Sequence, residues 1–463
     1  MTIFENKPFD EIAIGDTADL TRVLTKEDIA LFAAMSGNVN PTNLDPDYAN
    51  ASPFEDVIGH GMWSGSLIST VLGTRLPGAG TVYLGQTLRF KRPVRLGDTV
   101  TARVAVKEKR ERGRVVLNCE VVNADGEQVI DGEAFVMAPM EKLTVDLAAA
   151  PKAVLHEQGD RLRALISKAE PGAPLKTGVV HPVNAISIEG ALAARDANLI
   201  APVFYGPKAK IEAAARQGDY SLSDIEIVDC SHSHAAAETA AKDAAAGRIS
   251  ALMKGALHTD EIMSQVVSRA VGLRTERRVS HVFVIDTPAY DRLLMISDAA
   301  INIAPDLSAK RDIVQNAIDL CIALGVATPK VAVLSAVETV YPKMTSTLDA
   351  AALCKMSDRG QITGGVVDGP LAFDNAISSD AAKAKGISSP VAGVADILVA
   401  PDIEAGNMMA KQLDYLGGAV AAGVVLGARV PVILTSRAEG ALPRLASSAV
   451  AKLYALGDKS LKL

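Results

Sequence analysis

The chain changes its hydropathy pattern partway along, and that change limits what it can fold into. Between residues 81 and 138, the segments TVYLGQTLRFKRPV, DTVTARVAVKEK, RVVLNCEVVNA and QVIDGEAFVMA alternate apolar and polar residues with a period of two. Such alternation sets one face of a strand on a core and the other in water. Short turns such as Asp125–Gly126 join neighbours into an antiparallel meander. Two helices precede it: TKEDIALFAAM, capped by Thr25 and stopped by Gly37, and one over about 62–72, ending before Gly73 and a Pro77–Gly78 turn. A helix set against such a sheet makes an α+β domain.

From 176 onward the grammar is different. Short apolar runs (KTGVVHPV, LIAPVFYG, IEIVDC, ISALMKG, HVFVID, LLMISDAAINI, KVAVLSA, TGGVVDG, ADILVAPD, VPVILTS) alternate with helices. One helix is TDEIMSQVVSRAVG, with Thr259 as its cap and Gly272 as its stop, and another is the Ala-rich 235–247 with a Glu238–Lys242 pair. Alternating strands and helices imply a parallel sheet covered on both faces, and about 300 residues is large for one such unit, so two α/β lobes with a cleft are expected. The expected organisation is a domain over 1–140, a linker over 141–154 and a domain over 155–463. Within the last, lobe I takes about 155–290 and 432–463, and lobe II about 291–431.

Charge and composition remove several classes of function. A net charge of −7 opposes nucleic-acid binding, which needs a basic surface. The N-terminal MTIFENKPFDE carries acids, a proline and no apolar run, unlike a secretory signal. The most apolar stretch, 415–436, holds four glycines, Arg429 and Pro431, and reads as a buried helix followed by a strand, with no membrane partner implied. Cys119, Cys230, Cys321 and Cys354 have no metal spacing, which fits reduced thiols in a cytoplasmic protein.

Open α/β sheets bind ligands at loops that lead from strand ends into helices. The segment VPVILTSRAEGALPRLASSAVAKLYAL has that form: a strand over 430–435, Ser436 and Arg437 in the loop, and Pro443 in the first turn of the closing helix. A guanidinium there can hold phosphate with two hydrogen bonds, beside backbone N–H groups. Surface arginine with a capping serine is the competing reading.

The surrounding string, VDGPLAFDNAISSDAAKAKGISSPVAGVADILVAPDIEAGNMMAKQLDYLGG followed by GARVPVILTSRAE, resembles the phosphate acetyltransferase and phosphate butyryltransferase family. The likeness extends back through AVETVYPKMTSTLDA, DAAINIAPDLSAKRDIVQNAI, VSHVFVIDTP and LMKGALHTDEIM, and DGPLAFDNAIS with TSRA leans towards the butyryl branch. It implies a two-lobed, three-layer α/β fold of the isocitrate-dehydrogenase type, and direct transfer in a ternary complex. Coenzyme A thioester and phosphate are then substrates, with no permanently bound cofactor and no catalytic metal. By that analogy Arg437 holds phosphate, Ser436 polarises the thioester carbonyl, and Glu439 is the carboxylate base. The acetyl-type enzymes place an aspartate about two turns on, where this chain has Pro443. Asp368, Asp374 and Asn375, and then Asp402, Glu404 and Asn407, either line the cleft or do turn and capping work. Lys254 neutralises a coenzyme A phosphate or is a solvated strand end. His232 and His234 lack a third ligand and read as loop histidines.

In the first half, FAAMSGNVNPTNLDPDYANASPFEDVIGHGM resembles the MaoC-like (R)-specific enoyl-CoA hydratases, which are hot-dog folds. Active members read S-G-D-x-N-P-x-H in this loop, and the aspartate and histidine activate the water that adds to the double bond. This chain has Asn38 and Asn43 at those two positions, while His60 stands in an HGM tripeptide that active members share. An amide positions water but does not take its proton. A degenerate hydratase-like domain is therefore expected, kept for acyl-CoA binding or for homo-oligomer contact. The competing readings are a bifunctional hydratase and acyltransferase, and a non-catalytic acyl-CoA-binding scaffold. The basic run KEKRERGR (107–114) reads as a solvated hairpin end.

Overall fold

The computed structural model describes residues 2–147, 158–434 and 440–457, and the chain divides into two compact units, Met1–Leu155 and His156–Leu463.

The first unit runs β1 (Thr2–Glu5), β2 (Thr17–Val23), α1 (Lys26–Ser36), α2 (Pro41–Leu44), α3 (Pro46–Asn50), α4 (Gly61–Thr74), β3 (Val82–Phe90), β4 (Thr99–Lys109), β5 (Arg114–Asn123), β6 (Gln128–Met137) and β7 (Thr144–Leu147). Strands β2-β4-β5-β6-β3 form an antiparallel sheet in that order. Strand β7 lies inside the expected linker and pairs with β1. The α1 start is a capping box: Thr25 Oγ1 accepts from Asp28 N–H, and the Asp28 carboxylate accepts from Thr25 N–H. Gly37 ends the helix with φ 71°, a left-handed value that costs glycine little. Inward positions of β4 (Val100, Ala102, Val104, Val106) join Trp63, Leu67, Ile68, Val71 and Leu72 of α4 in one core, which is the α+β arrangement the alternation implies. Helix α4 continues through Gly73 to Thr74.

The second unit opens with α5 (Asp160–Ala169), β8 (Leu175–Val180), α6 (Ala185–Asp196), β9 (Ile200–Gly206), α7 (Lys208–Gln217), β10 (Glu226–Asp229), α8 (Ser233–Ala245), β11 (Ala251–Lys254) and α9 (Thr259–Val266). It continues with β12 (Ser280–Asp286), β13 (Leu294–Ser297), α10 (Leu307–Leu324), β14 (Lys330–Leu334), α11 (Thr345–Asp358), β15 (Val366–Leu371), α12 (Phe373–Ile377) and α13 (Ser379–Ala384). It closes with β16 (Ile397–Val399), α14 (Ile403–Tyr415), β17 (Val420–Leu426), β18 (Val432–Ile433) and α15 (Ala441–Leu456). Among the described residues, eleven of these strands form one sheet in the order β10-β9-β8-β11-β18-β17-β12-β13-β16-β14-β15.

Alternate residues of its central strands enter different cores: Val179, Met253, Val424 and Ile433 one, Val180, Leu252, Val425 and Val432 another. Both faces are therefore covered, as expected of a three-layer fold. The sheet is mixed, however, where a parallel one was expected. Strand β12 is antiparallel to both neighbours, and β17 is antiparallel to β18, so the two parallel blocks run in opposite senses.

Three local expectations are corrected. Within 415–434 a helix followed by a strand is not what forms; after the end of α14 at Tyr415 comes the β17–β18 hairpin, and among the described residues Val432–Ile433 is the strand portion of the expected 430–435. Two-sided burial removes the alternation that marks a strand, so β17 reads like a buried helix. Helix α9 is capped at His258, not Thr259, because the Glu261 carboxylate accepts from His258 N–H at 3.2 Å, and it stops at Val266, short of Gly272. Asp368 lies within β15 and not in the turn after it. No helix among the described residues is long and apolar enough to cross a membrane.

Ile68 is fully buried in the first core, and truncating such a side chain typically costs about 2–5 kcal/mol. Ile68→Ala is expected to lower the unfolding free energy of the first unit by that amount and so shift its urea midpoint down, read from the fluorescence of the single tryptophan, Trp63.

Candidate functional site

Ser436, Arg437 and Glu439 lie outside the described residues. Their chain neighbours do not. Leu434 follows β18, and Gly440 is the N-cap residue of α15. Strand β18 pairs in parallel with β11, whose last residue is Lys254. The Lys254 ammonium donates to Leu257 O at 3.2 Å and lines a small cavity of about 60 Å³ with Asn184, Ser187, Met253 and Arg444. A neighbouring cleft of about 310 Å³ shares Ile186, Gly190 and Arg444 and is bounded by Gly440 and Ala441. Asn184 caps α6 by accepting from Ser187 N–H at 2.9 Å. The N-terminal turns of α6 and α15 therefore border the same space as one ammonium and one guanidinium. Helix N-termini offer free N–H groups and partial positive charge, and two cations reinforce them, so this space suits a polyanion.

Sequence reasoning missed Arg444. A cation in the first turn of a helix opposes the macrodipole, and that mismatch was the available signal. It also missed the buried pair His281 and Asp298. Burial pushes the His281 imidazole down to about 4, so it is neutral at neutral pH. The Asp298 carboxylate accepts from the N–H groups of Ala300, Ile301 and Asn302 and from Asn302 Nδ2, at 2.6–3.1 Å. A Cβ at Gly423 would sit 2.9 Å from His281 Nε2 and 3.2 Å from Leu434 O. Only glycine lets this imidazole approach the backbone just before 435–439.

The other predicted residues are dispersed, and none of them lines the cavity at Lys254. Asp374 and Asn375 lie in α12. Asp374 is exposed, 3.8 Å from the Lys385 ammonium, whereas Asn375 is fully buried and neither Nδ2 nor Oδ1 has a hydrogen-bond partner. Asp402 caps α14 by accepting from Ala405 N–H at 2.9 Å, and Glu404 is exposed in that helix's first turn. Asn407 Nδ2 donates to Ala299 O at 3.0 Å, which holds the chain beside Asp298. His232 Nδ1 accepts from Ala235 N–H at 3.2 Å, and His234 stands 3.2 Å from Glu261. Among the described residues, no three histidine, cysteine or acidic side chains converge as a metal site.

In the first unit, Asn43 is buried and its Nδ2 donates to Ile58 O at 2.7 Å. Asn38 Oδ1 accepts from Asn40 N–H at 3.3 Å, so both amides serve the local backbone. His60 is buried at the start of α4 with its ring 4.9 Å from the Phe32 ring, and its Nε2 lies 2.9 Å from Asn38 O. A carbonyl only accepts, so Nε2 carries a proton, while Nδ1 has no partner. The basic run closes the β4–β5 hairpin, where Glu108 pairs with Arg110 and Lys109 lies 4.4 Å over the Phe9 ring.

Residues 226–443 match the family described as phosphate acetyl/butaryl transferase, and residues 11–126 match the MaoC like domain. A phosphate acetyltransferase of Rhizobium meliloti is 58% identical over 298 residues, spanning 64% of this chain and 94% of that protein. A phosphate butyryltransferase of Clostridium beijerinckii is 40% identical over 295 residues, 64% of this chain and 98% of its own length. The crystal structure of a branched-chain phosphotransacylase from Enterococcus faecalis superposes with a TM-score of 0.54 at 28% identity, over 61% of this chain and all of that one. Through its second unit this chain belongs to the phosphate acetyl/butyryl transferase family, and its first unit is a MaoC-like domain.

Proposed function

We propose that this chain exchanges coenzyme A and inorganic phosphate on a short acyl group by direct transfer within one ternary complex. A phosphate oxygen bonds the acyl carbon, the carbon–sulfur bond breaks, and the thiolate leaves to be protonated as coenzyme A. The observation that carries this reading is the convergence of two helix N-termini with Lys254 and Arg444, beside the flanks of 435–439. Phosphate is a poor nucleophile until it is held in line with the thioester carbonyl, and positioning alone is worth about 7–11 kcal/mol. In this reading Arg437 grips the phosphate, Ser436 donates to the developing oxyanion, and Glu439 takes the thiol proton in the reverse direction. An oxyanion donor of that kind is worth about 2.7–4 kcal/mol. Lys254 and Arg444 neutralise phosphates of coenzyme A. The reading is of a cytoplasmic homo-oligomer that uses acyl-CoA and phosphate as substrates, with no permanently bound cofactor.

The first unit is proposed to be inactive as a hydratase. Hydration needs a base for the water proton, a contribution of about 10²–10⁴-fold. Asn38 and Asn43 have no such capacity, and His60 is buried at the start of α4, with Nε2 on the Asn38 carbonyl and its ring against Phe32.

Three measurements test these assignments. Arg437→Ala is expected to slow phosphate-dependent release of coenzyme A by roughly a hundredfold or more, the cost of removing a charged anion contact; a retained rate assigns the anion to another group. Arg444→Ala is expected to raise KM for acyl-CoA by about tenfold with kcat little changed, as loss of one charged hydrogen bond in binding predicts. Crotonyl-CoA at high protein concentration is expected to show no hydration above background, and robust turnover would restore the bifunctional reading.

A further inference from the structure

The second unit holds a larger pocket, about 1030 Å³, which shares no lining residue with the clefts at Lys254 and Arg444. Its walls come from the segment before β12, the first half of α10, the turn before β15, the β17–β18 turn and Tyr454 of α15. Four arginines line it (Arg274, Arg277, Arg311 and Arg429) against two acids, Glu276 and Asp312. In a chain of net charge −7 that local excess needs a cause. Two of the four are accounted for, because Arg277 pairs with Asp319 and Arg311 with Asp312. The other two are fixed by backbone only. Arg274 bridges Ala428, and Arg429 N–H donates to Leu273 O at 2.9 Å. No ion pair holds either guanidinium among the described residues.

The wall between these arginines is built and buried. Asn316 is fully buried, and its Nδ2 donates to Arg278 O and Ser280 Oγ, both at 2.9 Å. Its Oδ1 has no partner, an uncommon state for a buried amide oxygen. Gly427 packs against it, since a Cβ there would lie 2.9 Å from Asn316 Nδ2. Gln315 is locked by Asp319 and by Thr363 O, which joins α10 to the turn before β15. Arg274 and Arg429 flank a backbone bridge at the rim of this pocket, above a polar wall; a guanidinium's forked donors suit phosphate, and the volume fits a nucleotide.

We propose that this pocket binds a phosphorylated small molecule of nucleotide size, with its phosphates held by Arg274 and Arg429. It lies at the end of the β17–β18 hairpin away from Leu434, so it is separate from the proposed transferase cleft and does not depend on that assignment. The test is calorimetric titration of the full chain with ATP, beside the double variant Arg274→Gln/Arg429→Gln. The expected result is saturable binding to the parent chain and an affinity at least tenfold weaker in the double variant, with its basal coenzyme A release unchanged. Should the double variant melt earlier than the parent chain, Arg429→Gln alone carries the comparison, since that side chain is exposed and only its backbone is bonded. Absence of saturable heat in the parent chain, or equal affinity in the substituted one, overturns the proposal. Either result would assign the arginine excess to solvation alone.

Discussion

The second unit depends on burying both faces of the β17–β18 hairpin. The hairpin sits where two parallel blocks of opposite sense meet, and it is antiparallel to β12 on its other side. Val424 and Ile433 enter one core and Val425 and Val432 the other, so a one-residue slip would exchange the two sets and misplace both. That register sets where Leu434 leaves the sheet, and through it where the chain starts towards α15. The same register brings Gly423 under His281. Where the chain leaves the sheet at Leu434, beside the strand that ends in Lys254, is thus a consequence of core packing.

That same burial explains what was legible in the sequence and what was not. The meander of the first unit announced itself because one side of each strand faces water, and β4, β5 and β6 fall within a residue or so of their alternating segments. Strand β17 gave no such signal. With both sides in apolar cores it carries Val-Ala-Ala-Gly-Val-Val-Leu, a run that suits a helix equally well. Strand direction was hidden for a related reason: local pattern reports burial, whereas sense depends on pairings between distant segments such as β12 with β17. Caps were partly visible. Thr25 behaved as its chemistry suggests, but Thr259 lost to His258, because the Glu261 carboxylate reaches the backbone one residue earlier than the hydroxyl rule anticipates.

Residue roles were less legible than elements. Asp402 had two readings, cleft or cap, and its contact with Ala405 N–H fulfils the cap. Arg444 had no reading at all, although it borders both cavities at the start of α15. The difference is that a capping acid satisfies its own helix, whereas a cation in the first turn works against the local field. Such a mismatch persists when something anionic offsets it. Residues that contradict their own secondary structure are therefore better pointers to ligand chemistry than residues that satisfy it.

The first unit shows the converse. Between α1 and the start of α4, two asparagines and a histidine bond to the local backbone. Asn43 donates to Ile58 O, Asn38 supports Asn40 N–H, and His60 ties the helix start to Asn38 O. A carboxylate at position 38 would bring an acceptor that can hold a proton, and an imidazole at 43 could not reproduce the amide's donation to Ile58 O without moving. The two asparagines thus stabilise the loop as a structural element.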